Sequence, residues 1–202
     1  MVDVVNNIEL VKPKMIGQMR YNKGIFSLSE MIAVIGGPAA VQNSKLFVKY
    51  MDAFLGKLGI FLKSQEQTEL CRYLGRTETN ENLSLNKFVD LFKMEPPKKL
   101  ITVVTEVFNL LKEANGTIPI EKFWASTDLT KHPAVTIYKR PKEWIKNKLV
   151  LTAKSVLNGK EDFSLEDLIR YYMDFIYLMP IENVNYYIKN IPELYGLPVN
   201  DI

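Results

Sequence analysis

Two residue types that often carry chemistry occur once each in this 202-residue sequence, as Cys71 and His132. A single Cys excludes an internal disulfide and a Cys-rich zinc cluster, and a single His excludes a multi-His metal centre within one chain. Cys71 stands among Leu70, Tyr73 and Leu74 and reads as a packed thiol, not a nucleophile. His132 precedes Pro133, has no Ser or Cys partner by motif, and reads as part of a turn. Ile35-Gly36-Gly37-Pro38 could suggest a phosphate loop, but no Lys-Ser/Thr follows and no strand precedes it, so it reads as helix termination. No paired carboxylates or nucleophile–base arrangement of recognisable spacing is present, and no enzymatic activity is expected.

The remaining chemistry lies in four similar segments: Lys45-Leu46-Phe47-Val48-Lys49-Tyr50-Met51, Leu83-Ser84-Leu85-Asn86-Lys87-Phe88, Ile118-Pro119-Ile120-Glu121-Lys122-Phe123 and Phe163-Ser164-Leu165-Glu166-Asp167-Leu168. A polar turn precedes each: Asn43-Ser44, Asn80-Glu81-Asn82, Asn115-Gly116-Thr117 and Asn158-Gly159-Lys160. This is the skeleton of a helix–loop–helix calcium hand, the EF-hand, with position 8 apolar and position 12 opening the exit helix. The register puts the loops at 39–50, 76–87, 111–122 and 156–167, with starts 37, 35 and 45 residues apart, a near-regular repeat. A competing register starting at residue 19 has Gly24 at position 6 and Glu30 at position 12, but it breaks the period. Ser27 then reads as a cap on the first entering helix.

Calcium needs oxygen ligands, mostly carboxylates, at positions 1, 3, 5 and 12, the last one bidentate. Here those positions hold Ala39, Val41, Asn43 and Tyr50; Arg76, Glu78, Asn80 and Lys87; Leu111, Glu113, Asn115 and Lys122; and Val156, Asn158, Lys160 and Asp167. Only Glu78, Glu113 and Asp167 are acidic. Lys87 and Lys122 put an ammonium where the bidentate carboxylate belongs, which repels a divalent ion. No metal, calcium included, and no other cofactor is expected. The last loop is ambiguous by one or two residues, with Glu161, Asp162 and Glu166 near Asp167. The formal charge of +3 agrees, because calcium-loading loops carry clustered carboxylates that push such chains acidic.

The elements that must position these loops read as helices at 3.6-residue spacing, about 28–36, 46–57, 65–75, 85–93, 98–113, 120–126, 141–154, 165–176 and 181–190. Ser64 stands before one of them, and Pro141 fits the first turn of another. Strand-like runs are confined to the four short segments, whose position-8 residues pair in β-bridges, so hands come in twos. Glu95-Pro96-Pro97-Lys98-Lys99 cannot continue a helix. The predicted fold is therefore all-α: an extended N-terminal arm over 1–24, a first lobe of two hands over 25–94, a linker over 95–99, a second lobe over 100–191 and a C-terminal tail over 192–202. Hydrophobic residues make up 47% and charged residues 24%, a globular composition. No apolar run is long enough to span a membrane, and the start has no basic segment leading into an apolar one, so no secretory signal, membrane role or disulfide-forming compartment is expected. The charge of +3 is too weak to argue for nucleic acid, which calls for a concentrated basic face.

Three stretches resemble the calcyphosine family of four-hand proteins. Lys131-His132-Pro133-Ala134-Val135, followed by Lys139-Arg140-Pro141-Lys142-Glu143-Trp144, is similar to the family's spacer before the fourth hand. Leu165-Glu166-Asp167-Leu168-Ile169-Arg170-Tyr171-Tyr172 looks like its last exit helix, and Gly56-Lys57-Leu58-Gly59-Ile60-Phe61-Leu62 like the junction of its first two hands. The match covers roughly 28–191. The calcium carboxylates are mostly missing, so calcium sensing does not carry over. What the resemblance implies is the scaffold. Relatives with degenerate hands occur in the ciliary or flagellar axoneme, some lining the inside of doublet microtubules.

The expectation is a cytoskeletal structural protein with tubulin or other axonemal proteins as partners, its arm from Asn6 to Tyr21 threading between neighbours. The alternative is a light-chain-like regulatory subunit that clasps an amphipathic target helix. Candidate partner contacts are the basic turns Lys98, Lys99, Lys139, Arg140 and Lys142 and the tyrosines Tyr177, Tyr186 and Tyr187. The other second-lobe aromatics, Tyr171, Tyr172 and Phe175, read as core.

Overall fold

The computed structural model describes residues 8–136 and 139–198. Twelve α-helices and three 3-10 turns make the described residues 66% helical, with two small two-stranded antiparallel sheets. The chain divides into two compact units between Met94 and Glu95.

The first unit opens with a helix where an extended arm was expected. Helix α1 (Ile8–Lys23) buries Ile8, Val11, Met15, Ile16 and Met19, whose spacing places them on one face. Pro13 lies inside the unbroken helix and is exposed, so the Glu9 carbonyl it leaves unbonded can reach water. The polar flank of α1 is also engaged. Lys14 pairs with Glu66 at 2.5 Å, and Asn22 donates to the Gly59 carbonyl at 2.7 Å. Between them Gln18 accepts from the Phe61 amide at 2.7 Å and donates to the Phe61 carbonyl at 3.1 Å. The part of the expected arm before residue 8 lies outside the described residues.

Helix α2 (Leu28–Val34) begins at Ser27, whose side chain accepts from the Glu30 amide, while Glu30 accepts from the Ser27 amide. This capping box stabilises the helix start, and it is the role expected for Ser27. Gly36 and Gly37, at φ +114° and +86°, separate α2 from α3 (Pro38–Asn43). Helix α3 corrects the first expected loop: five of its six residues, 39–43, fall in the first half of 39–50. Pro38 at the first helical position and the helix-forming Ala39-Ala40 account for it. Strand β1 (Lys45–Phe47) follows, then a 3-10 turn at Val48–Tyr50, α4 (Met51–Lys57), α5 (Ser64–Tyr73), β2 (Asn82–Ser84) and α6 (Leu85–Asp90). Helix α5 starts one residue earlier than Ser64 as a cap would require, with Lys63 at the cap position. Leu46 lies opposite Leu83 in the antiparallel β1–β2 pair.

The second unit contains α7 (Lys98–Leu111), β3 (Ile118–Pro119), α8 (Ile120–Ser126), α9 (Pro133–Thr136), α10 (Lys142–Leu157), β4 (Asp162–Phe163), α11 (Leu165–Ile176) and α12 (Ile181–Asn190). Lys98 and Lys99 belong to the first turn of α7 and not to a linker. Ile118 lies opposite Phe163 in the β3–β4 pair. The core is aromatic: the Phe123 ring is 4.9 Å from Phe163, 5.4 Å from Tyr171 and 5.9 Å from Tyr195 between centroids. The expected tail is likewise structured in its described part. Pro192–Tyr195 forms a 3-10 turn with Pro192 and Leu194 buried, and the hydroxyls of Tyr172 and Tyr195 meet at 2.5 Å. Aromatic burial outweighs the absence of any long helical pattern there.

Candidate functional site

The last three loop regions each connect a helix, a short strand and a second helix, as the spacing requires. In 76–87, Asn80 is consumed by the turn itself. Its side chain accepts from the Asn82 amide at 3.0 Å and donates to the Gly75 carbonyl at 3.3 Å. Ser84 caps α6 by accepting from the Lys87 amide, and the Lys87 side chain is exposed. A shallow depression of about 480 Å³ beside this loop is lined by Asn80, Asn82, Lys45 and Lys87 among others.

In 111–122, Gly116 at φ +79° makes the sharp turn at position 6, a conformation that disfavours any side chain. Asn115 accepts from the Thr117 amide at 3.1 Å, and the Glu113 amide donates to the Thr117 carbonyl at 2.9 Å. Across this folded turn the Lys122 ammonium lies 3.6 Å from the Glu113 carboxylate. Those are positions 12 and 3 of the loop. Thr117 also reaches Asp162 of the facing loop at 3.4 Å.

In 156–167 the arrangement is tighter. Asp167 is only 1% exposed. It accepts from the Ser164 amide at 3.2 Å and hydroxyl at 2.7 Å, and from the Lys160 ammonium at 3.1 Å. It also pairs with Arg170. Burial pushes its carboxyl up, but the hydrogen bonds from Ser164, Lys160 and Arg170 outweigh that and lower it to about 2. Ser164 and Asp167 form the capping box of α11. The acid expected at the last ligand position is therefore committed to a helix cap and two cations, one of them Lys160 at position 5. Among the described residues no three His, Cys, Asp or Glu side chains converge as a metal site would need.

Cys71 is 1% exposed and burial raises its thiol. His132 is buried, its Nδ1 accepts from the Ala134 amide at 3.1 Å, and burial lowers it to about 4. Both fit the structural roles read from sequence. The candidate contact residues do not form one group. Lys98 and Lys99 are exposed on α7, and Lys139, Arg140 and Lys142 are exposed before and at the start of α10. Tyr186 is 48% exposed and Tyr177 half-buried, but Tyr187 is buried against His132. Tyr187 is thus a core residue and is corrected on that ground: Val184, Tyr187 and Ile188 lie on one buried stripe of α12. Sequence reading missed the polar stripe Lys14, Gln18 and Asn22, though its four-residue spacing was visible.

No family model matches this chain, and no curated protein matches it. No described helix is long and apolar enough to cross a membrane.

Proposed function

We propose that the chain is a non-enzymatic structural protein of two lobes, each a pair of EF-hand-like units, with lysines of the second lobe standing where calcium would place its charge. Pairing of hands is supported by the registers Leu46–Leu83 and Ile118–Phe163, which bring together the position-8 residues of successive loops. The observation that carries the proposal is the lysine at a ligand position in each of the last two loops: Lys122 with Glu113, and Lys160 with Asp167. A tethered ammonium satisfies the loop carboxylate without a diffusible ion, so no ligand concentration shifts the loop between states. A non-enzymatic role is supported by the burial of Cys71 and His132.

The resemblance to calcyphosine-like proteins favours the ciliary or flagellar axoneme, against doublet microtubules, with tubulin or other axonemal proteins as partners. The alternative of clasping a target helix is weakened by what already fills each unit. Helix α1 lays five apolar residues into the first, while α12 and the 192–195 turn cover the second with Val184, Tyr187, Ile188 and Leu194. Tagging the protein in ciliated cells and fractionating axonemes tests the assignment. Retention with salt-washed doublets is expected, and absence from purified axonemes overturns it.

A further inference from the structure

Residues 139–154 hold six Lys or Arg and a single acid, Glu143, a balance of +5 within a chain whose total is +3. The rest of the chain is therefore at −2, and the weak overall charge conceals a concentrated basic segment. Lys139, Arg140, Lys142, Lys146, Lys148 and Lys154 lie in the turn before α10 and along the helix, which at 16 residues is about 24 Å long. We propose that this segment is a docking surface for an acidic polypeptide, a run of Glu or Asp side chains in a partner protein.

Charge complementarity selects that occupant over the other polyanions. Five of the six cations are lysines, point charges without the planar fork that matches phosphate oxygens in pairs. Trp144, the aromatic of the segment, is half-buried, with Arg140 5.5 Å and Lys148 5.0 Å from its ring centre. Those cations compete for the face on which a nucleic-acid base would stack. An anionic membrane calls for a contiguous apolar wedge beside the charges, but Ile145, Leu149, Ala153 and Leu157 of α10 are buried in its own unit, which leaves Leu151 as the one large apolar side chain the helix exposes. The inference rests on the structural-protein reading only in taking the partner to be a protein.

The test uses the full chain and a fluorescent oligo-glutamate, read by anisotropy at low and physiological salt. Binding is expected, weakening steeply with salt, and about tenfold weaker in the double variant Lys142→Glu/Lys146→Glu, since charge pairs of this kind act mainly through the local field. Lys142→Glu places its charge in the first turn of α10, where a negative charge favours the helix, so lost binding does not come from an unfolded helix; far-UV circular dichroism checks this. The neutral pair Lys142→Gln/Lys146→Gln should bind with intermediate affinity. No oligo-glutamate binding, or equal binding by wild type and the reversed variant, overturns the inference. So does tighter binding of a single-stranded oligoribonucleotide or of phosphatidylserine vesicles through the same residues. Calcium titration of the same samples reads the structural proposal separately, so either can fail alone.

Discussion

The Lys160 ammonium lies 3.1 Å from the Asp167 carboxylate, joining positions 5 and 12 of the last loop. In a calcium hand both positions would supply oxygens to one shared ion. Here one supplies the cation and the other receives it, while Ser164 and Arg170 complete the carboxylate's contacts. The loop is closed by covalently attached charge.

Asp167 should therefore matter more to stability than any other loop carboxylate. Asp167→Ala removes the carboxylate half of the α11 capping box and leaves two cations without their buried partner, and should destabilise the protein by roughly 2–4 kcal/mol. Asp167→Asn, which keeps an acceptor for the cap, should lose less. Lys160→Met should lose about 1 kcal/mol or less, because Lys160 is more than half exposed and Arg170 remains. Urea unfolding midpoints give the order; equal effects of all three would contradict the assignment.

Acid sensitivity should come in two windows. His132 is lowered to about 4 from 6.5, so the unfolded chain binds a proton first and stability falls as pH drops from 6.5 towards 4. The full effect is on the order of 3 kcal/mol. Asp167, lowered to about 2 from 3.8, contributes stability above 3.8 that is lost as pH falls from there towards 2. His132→Asn keeps an acceptor for the Ala134 amide and should flatten the first window alone. Thermal melts between pH 7 and pH 2 check both, and an unchanged first window in that variant would contradict the buried neutral imidazole.

Docking of α1 depends on Gly59. At φ +72°, a Cβ there would come within 2.8 Å of Asn22 Cβ and of Lys23 Cγ. Gly59→Ala should destabilise the first unit by more than about 1 kcal/mol and loosen α1. Gln18→Ala, losing two hydrogen bonds to Phe61, should have a milder effect of about 1 kcal/mol. Amide exchange across residues 8–23 is the readout; wild-type protection in Gly59→Ala would show that α1 docks by other means.

Cys71 should resist thiol reagents in the native state and react on unfolding, because it is buried and its thiol is raised by burial. Labelling in buffer and in denaturant compares the two states. Rapid native labelling would place Cys71 outside the core.

Much of the helical framework was legible because apolar spacing and caps act locally: α8, α11 and α12 follow the 3.6-residue pattern to the residue, and Ser27 caps α2 as its place before the helix suggests. The strand pairs were legible from the repeat period, since Leu46, Leu83, Ile118 and Phe163 occupy equivalent offsets. Helix α1 was hidden by Pro13 and a polar composition, although Ile8, Val11, Met15 and Met19 already marked one face. Helix α3 was hidden because a fixed loop length was imposed on 39–50, where Pro38 and two alanines favour a helix instead. The Lys122–Glu113 and Lys160–Asp167 pairs were half legible. Sequence showed the wrong residue types for calcium, but only the folded turns show each ammonium beside a carboxylate of its own loop.

Calorimetric titration of calcium into the full chain, from micromolar to millimolar ion, tests the central claim most directly. The tethered lysines predict no saturable heat and no change in melting temperature with calcium. A saturable heat at micromolar calcium, or a rise in melting temperature that follows the ion concentration, would contradict the account.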